Sequence, residues 1–209
     1  MKRLSIVMLF AALSFMAKAQ NENGGLKNQI EVGLNVGLES FFSSDLSILD
    51  NQPQEKYFAS SIGINVGMNV CNNISNGSFG LDFILTTLQP NNDEDIDLIA
   101  AGIYSSDYFP FNDRFGCKTF IGVYWRYYSN SFSVDNKDYD YKKHGMMASV
   151  LAGLYFKPNK KFYIETCLKS NMTCFWNNDK NIDGIASTLP KNSLLTSITP
   201  TIGIKMMIP

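Results

Sequence analysis

Four groups of residues in this 209-residue chain could do chemistry, and each has a definite requirement. A histidine activates a hydroxyl nucleophile only when a serine lies within hydrogen-bond reach. The one histidine, His144, has Met146 and Ala148 at the next alternate positions, so its own strand face offers no serine. Asp179-Lys180-Asn181-Ile182-Asp183-Gly184 matches the start of a D-x-N-x-D-G calcium loop, but such a loop needs a bidentate glutamate at its twelfth position, where Pro190 stands. The cysteines, Cys71, Cys117, Cys167 and Cys174, contain no C-x-x-C pair and form no Cys/His cluster of zinc-site spacing. Cys71 and Cys117 each fall beside a short turn at the same end of the expected fold, so a disulfide between them is conceivable, with thiols packed as small apolar groups as the alternative.

The fourth group is a set of eight charges, Glu31, Glu39, Asp82, Lys118, Arg126, Glu165, Lys169 and Lys205. They share one face of an alternating pattern. In Gln29 to Phe42, Ile30, Val32, Leu34, Val36 and Leu38 fall on one side, and Glu31, Gly33, Asn35, Gly37 and Glu39 on the other. Period-two alternation is the signature of a β-strand with one apolar face. It recurs with Ile62, Ile64, Val66, Met68 and Val70 set against Ser61, Gly63, Asn65, Gly67 and Asn69.

Eight such strands are expected: Gln29 to Phe42, Tyr57 to Val70, Ser78 to Leu88, Ile96 to Tyr108, Phe115 to Tyr128, Gly145 to Phe156, one beginning at Phe162, and Leu194 to Ile208. The fourth alternates poorly, because Leu98, Ile99, Ala100 and Ala101 blur its phase. Loops are expected at Ser43 to Glu55, Gln89 to Asp95, Ser129 to Lys142 and Asn177 to Lys191. Compact turns are expected at Cys71 to Gly77, Pro110 to Arg114 and Lys157 to Lys160. The connections thus run long, short, intermediate, short, long, short, long. That order suits an even-stranded membrane barrel with both termini in the periplasm.

Ahead of the strands, Lys2 and Arg3, the apolar Leu4 to Met16 and Ala17-Lys18-Ala19 read as a signal peptide over residues 1–19. Residues 20–28 read as a polar leader and 29–209 as one barrel domain. The whole chain carries 18 basic and 19 acidic residues; without Lys2, Arg3 and Lys18 the excess of acid is near four. A mildly acidic exported chain lacks the clustered cations that nucleic acid requires, so no nucleic-acid partner is expected.

Two further patterns fit a membrane barrel. Aromatics crowd one rim (Phe41, Phe42, Tyr57, Phe58, Trp125, Tyr127, Tyr128, Phe175, Trp176) and the other (Phe79, Tyr108, Phe109, Phe111, Phe115, Phe156, Phe162), as amphipathic rings do at headgroup level. The eight face-sharing charges balance, four acids against four bases, as a narrow side-chain-filled lumen needs. The inside-out arrangement, a soluble lipocalin-like barrel, would instead put the apolar face around a ligand.

Through the Ala17-Lys18-Ala19 site followed by Gln20, the patterns GLNVG and GINVG at Gly33 to Gly37 and Gly63 to Gly67, and the final PTIGIKMMIP, the chain resembles the small outer-membrane β-barrels of Gram-negative bacteria. These are the OmpA/OmpX-like barrels, and particularly the PorT-like barrels of the Bacteroidetes. It departs from them in ending on Ile208-Pro209 rather than on an aromatic residue. The resemblance implies an all-β, eight-stranded antiparallel up-and-down transmembrane β-barrel in the outer membrane. It brings no catalytic residue, cofactor or metal, and its partners would be outer-membrane lipid, lipopolysaccharide and other outer-membrane proteins. Some such barrels modify lipid A with a His and a Ser, which makes His144 the residue to test for an enzymatic alternative. A general pore is disfavoured, since eight strands leave room only for side chains.

Overall fold

The computed structural model describes residues 27–42, 58–71, 76–91, 94–134, 137–182, 184–189 and 193–208. The strands are β1 (Lys27–Phe41), β2 (Phe58–Cys71), β3 (Asn76–Asn91), β4 (Glu94–Pro110), β5 (Phe115–Val134), β6 (Lys137–Asn159), β7 (Phe162–Ile182), β8 (Ile185–Leu189) and β9 (Ser193–Ile208). Each pairs antiparallel with its neighbours, β1 through β7 in chain order. The ring closes because β7 pairs with β9 and β9 with β1. Strand β8 lies on the same edge of β7 as β9 and continues its line, so eight walls make a closed up-and-down barrel. Closure leaves no unpaired edge around the ring, which is what lets strands stand in lipid.

The alternating faces fall as the sequence pattern requires. Leu34, Ile64, Ile121 and Ile202 point outward with 51–60 % of their surface open, while Glu31, Asn65, Lys118 and Lys205 on the opposite parity are buried inside. A lipocalin-like barrel would show the reverse. The apolar band therefore faces the surroundings and the polar residues face the lumen.

The GLNVG and GINVG repeats have a structural reason. Gly33 pairs with Asn65, and Asn35 with Gly63, so each asparagine lies over the glycine of the other strand. A Cβ at either glycine would fall inside the facing carboxamide. Gly63→Val is expected to cost about 1–3 kcal/mol by overpacking. Adding Asn35→Ala to the same chain should recover most of that loss in urea unfolding. If the two substitutions simply add, the asparagine is not what occupies the site.

At one end of the barrel the β4–β5 and β6–β7 turns are tight and closed by asparagine. Asn112 Oδ1 accepts from the backbone N–H of Arg114 and Phe115, both at 2.9 Å, and Asn159 Oδ1 from those of Lys161 (2.8 Å) and Phe162 (3.1 Å). At the other end, three stretches expected to be loops are strands. Asn91 pairs with Glu94, Val134 with Lys137 and Ile182 with Ile185, so three hairpins, each with two residues between its paired ends, extend the wall. Polar residues fill these extensions, and a search for apolar alternation passes over them, although the backbone ladder needs no apolar face once outside lipid. The partial calcium-loop match falls in one of them: Asp179 and Asn181 sit in β7, and Gly184, at φ 83°, takes the left-handed conformation that a two-residue Asp-Gly hairpin connection demands. Among the described residues, which leave out Asp183, no group of three metal-ligating side chains occurs. The Ser43 to Glu55 loop lies outside the described residues.

Candidate functional site

The barrel interior gathers all eight of the charges singled out by the sequence into four ion pairs. At the tight-turn end, Lys205 on β9 meets Glu31 on β1, and Lys118 on β5 meets Glu165 on β7 at 2.9 Å. Gly153 pairs with both Lys118 and Cys167, so the strand between β5 and β7 presents no side-chain bulk to the pair. Midway, Lys169 on β7 reaches Asp82 on β3 at 3.5 Å. Towards the hairpin end, Arg126 Nη2 on β5 donates to both carboxylate oxygens of Glu39 on β1, each at 3.0 Å. In a ring of eight walls β3 stands opposite β7 and β1 opposite β5, so two of the pairs span the full diameter.

Hydroxyls and amides complete the coordination that these charges need once out of water. Tyr104 Oη donates to Glu31 at 2.8 Å, Tyr108 Oη lies 3.0 Å from Glu31 and 3.3 Å from Glu165, and Tyr124 Oη donates to Asp82 at 2.7 Å. Glu39 also accepts from Thr86 (2.9 Å), Asn171 (3.3 Å) and Ser197, while Arg126 Nη1 donates to Thr173 at 3.2 Å. These tyrosines were the residues that sequence reasoning missed as partners. Tyr104 and Tyr108 share parity with Ser106, but on the strand whose phase was blurred. The blur has a cause: at the hairpin end, β4 turns Ile96, Leu98 and Ala100 inward, so both of its faces are apolar.

Those residues belong to a plug. Phe41, Ala59, Ile96, Leu98, Tyr128, Tyr141, Phe175 and Leu195 form one buried apolar cluster inside the hairpin-end mouth. A second, Tyr108, Tyr155, Tyr163 and Met207, closes the other mouth, where the Tyr108 and Tyr155 rings stand edge to face at 5.5 Å. Four aromatics expected on the lipid rims, Phe41, Tyr108, Tyr128 and Phe175, are thus inside, each 1–3 % exposed. Their parity is that of the lumen face, and aromatic count alone does not separate a girdle from a plug. Phe42, Phe58, Trp125 and Trp176 at one rim and Phe109, Phe111, Phe115 and Phe162 at the other do face outward. Tyr57 lies outside the described residues.

Between the plugs the lumen is filled. A cavity of about 30 Å³ is lined by Asn65, Asp82, Lys118, Glu165, Lys169 and Lys205, among others, and one of about 10 Å³ lies beside Glu39 and Arg126. Asn65 Oδ1 and Asp82 Oδ1 are buried acceptors without a protein donor, and the larger cavity suits a water between them.

The remaining sequence candidates lie elsewhere. His144 sits outside the lumen, its ring 5.1 Å from that of Tyr127 and 6.1 Å from that of Trp125, and Trp125 meets Trp176 at 5.4 Å. Trp176 is the extra residue of a β-bulge, because Gly145 pairs with Phe175 and His144 with Asn177. This is rim aromatic packing. Nearby, Lys142 donates to Asp140 at 2.6 Å, which holds that ammonium above the usual lysine range, but the pair is exposed and contributes little. Cys117 carries a free thiol, so no bridge joins it to Cys71.

A closed ring of eight antiparallel walls, an outward apolar band and a paired-charge lumen leave little choice of architecture, and comparison with known proteins agrees. Neisserial surface protein A superposes with a TM-score of 0.57 at 14 % identity, covering 88 % of this chain and 99 % of that one. The fold is that of the small outer-membrane β-barrels. The attachment invasion locus protein Ail of Yersinia pestis gives 0.52 at 13 % identity over 87 % of this chain and 99 % of its own. A major outer membrane protein from Thermus thermophilus gives 0.58 at 9 % identity over the same shares. No family model matches the sequence, and comparison with curated proteins gives no match.

Proposed function

We propose that this small barrel is exported by its first 19 residues, sits in the outer membrane with its hairpins outside, and works by contact rather than by transport or catalysis. The observation that carries the reading is the interior. Four ion pairs, two of them spanning the diameter, lie between two plugs, so the lumen is a structural core. What is left for function is the outside: the lipid-facing wall and the strand extensions of β5, β6, β7 and β8 beyond the Trp125 rim. These extensions carry Ser131, Ser133, Asp138 and Asp140 on one surface, with Ser133 donating to Asp138 at 2.6 Å. They form a strand-paired polar wall suited to docking another protein, as a subunit of a larger outer-membrane assembly would, within a leaflet of lipopolysaccharide. The outer-membrane character of the solved barrels with this fold supports the location.

Two measurements bear on this. In planar bilayers the purified barrel is expected to give no steps on the nanosiemens scale; regular steps of that size would show a through-pore and end the contact-only reading. Crosslinking in native outer membrane, followed by purification, is expected to recover defined partner proteins. A chain that always emerges alone removes the assembly role. The enzymatic alternative rests on His144, and lipid A unchanged by deleting the protein would dispose of it.

A further inference from the structure

The tight-turn end of the barrel carries four cations that, among the described residues, meet no carboxylate. Arg114 ends the β4–β5 turn, and Lys157, Lys160 and Lys161 flank the β6–β7 turn. The two turns are fixed to each other, since the Lys157 N–H donates to the Arg114 carbonyl at 2.7 Å. The β6–β7 turn is fixed again to β9 through the Met207 N–H on the Lys161 carbonyl, also 2.7 Å. Every charge in the lumen is paired, yet among the described residues none of these four meets a carboxylate. Among the described residues only two acids share this end on the outer surface, Asp113 in the same turn and Asp107 on β4, so the cluster keeps a positive excess. Lys157 leans over the mouth, its Nζ 5.0 Å from the Tyr163 ring; the other three cations are exposed.

The second observation is what lies just above them on the wall. Phe111 and Phe115 are 67 % and 50 % exposed, and the Phe115 and Phe156 rings meet at 4.8 Å on adjacent strands. Exposed rings of this kind settle at the boundary between acyl chains and headgroups. Cations held immediately beyond that boundary stand at the depth of lipid phosphates.

We infer that Arg114, Lys157, Lys160 and Lys161 form a docking collar for the anionic phosphodiester headgroup of a glycerophospholipid in the leaflet on the tight-turn side. The inference rests on the membrane reading above. The phosphate supplies the counter-charge that the described residues do not, and the neighbouring phenylalanines hold the acyl chains against the wall. The turns are fixed by the Asn112 and Asn159 side chains before any lipid arrives, so the collar is preorganised.

The test uses the full barrel purified from membranes in zwitterionic detergent, mixed with equal amounts of phosphatidylglycerol and phosphatidylethanolamine, with bound lipid counted by native mass spectrometry. The wild-type barrel is expected to retain phosphatidylglycerol over phosphatidylethanolamine by about tenfold. The combined variant R114Q/K157Q/K160Q/K161Q should bring the two to near parity, while K137Q/K142Q/K143Q at the opposite end leaves the preference intact. A wild-type barrel without preference, or loss of it in the opposite-end variant, overturns the collar. Heat-modifiable migration on gels, read on the same samples, keeps the readings apart. A chain that does not fold into detergent or lipid defeats the membrane reading itself, whereas a folded barrel lacking selectivity defeats only the collar.

Discussion

Glu39→Gln is expected to destabilise the barrel by about 3–5 kcal/mol, because it leaves the buried Arg126 guanidinium without its counter-charge. The substitution keeps volume and shape, so the loss reports charge rather than packing. Arg126 is 2 % exposed, its Nε already lacks a protein acceptor, and both of its strong bonds to a carboxylate are those to Glu39. Thr86, Ser197 and Asn171 would also lose a charged acceptor. Urea unfolding of the folded barrel in liposomes measures the effect. A double variant, Glu39→Leu with Arg126→Met, should recover at least half of the loss, since replacing a buried pair by apolar groups of similar size is often neutral. Asp140→Asn, which removes the exposed partner of Lys142, should leave stability unchanged within error. If Glu39→Gln is as mild as Asp140→Asn, the interior is wetter than a packed lumen and the closed-core reading falls with it.

Leu34→Arg is expected to cost about 2–4 kcal/mol, since it places a cation on the lipid face near mid-height of β1. Leu34 is 53 % open on the outer surface, with Ile64 and Ile204 opposite it on the flanking strands. Its neighbour Asn35 points into the lumen over Gly63, so Asn35→Ser should cost far less. Both substitutions are read by urea unfolding in liposomes. In water the order would invert, because an arginine on a solvated wall is harmless. A reversed order would show that this surface meets water instead of lipid, whatever the fold resembles.

The sequence carried the wall of this protein in plain view. A period of two has only one reading in an extended chain, and a strand buried on its polar face and exposed on its apolar one can occupy only a few environments. For the same reason the eight lumen charges, from Glu31 to Lys205, could be placed on one shared face from the sequence. The strand extensions beyond the Trp125 rim could not, because Ser129 to Lys142 and Asn177 to Lys191 are rich in polar residues with no sustained apolar alternation, and such a pattern does not distinguish a ladder from a loop. The Asp183-Gly184 pair was the available signal, a hairpin dipeptide overlooked because it also completes part of a calcium-loop motif.

Sequence by itself thus determined where the eight walls run and which residues share a face, since alternation is local and survives without knowledge of neighbours; closure of the ring and the burial of the polar face belong to the tertiary structure. Only the tertiary structure decided who meets whom: that Arg126 reaches across the full diameter to Glu39, that Tyr108 bridges Glu31 and Glu165, and that Phe41, Tyr128 and Phe175 form a plug instead of a girdle. These outcomes depend on strand stagger and ring closure, which fix the height of every side chain relative to those on the far wall. No stretch of the chain contains that information alone, because it is a property of the ring.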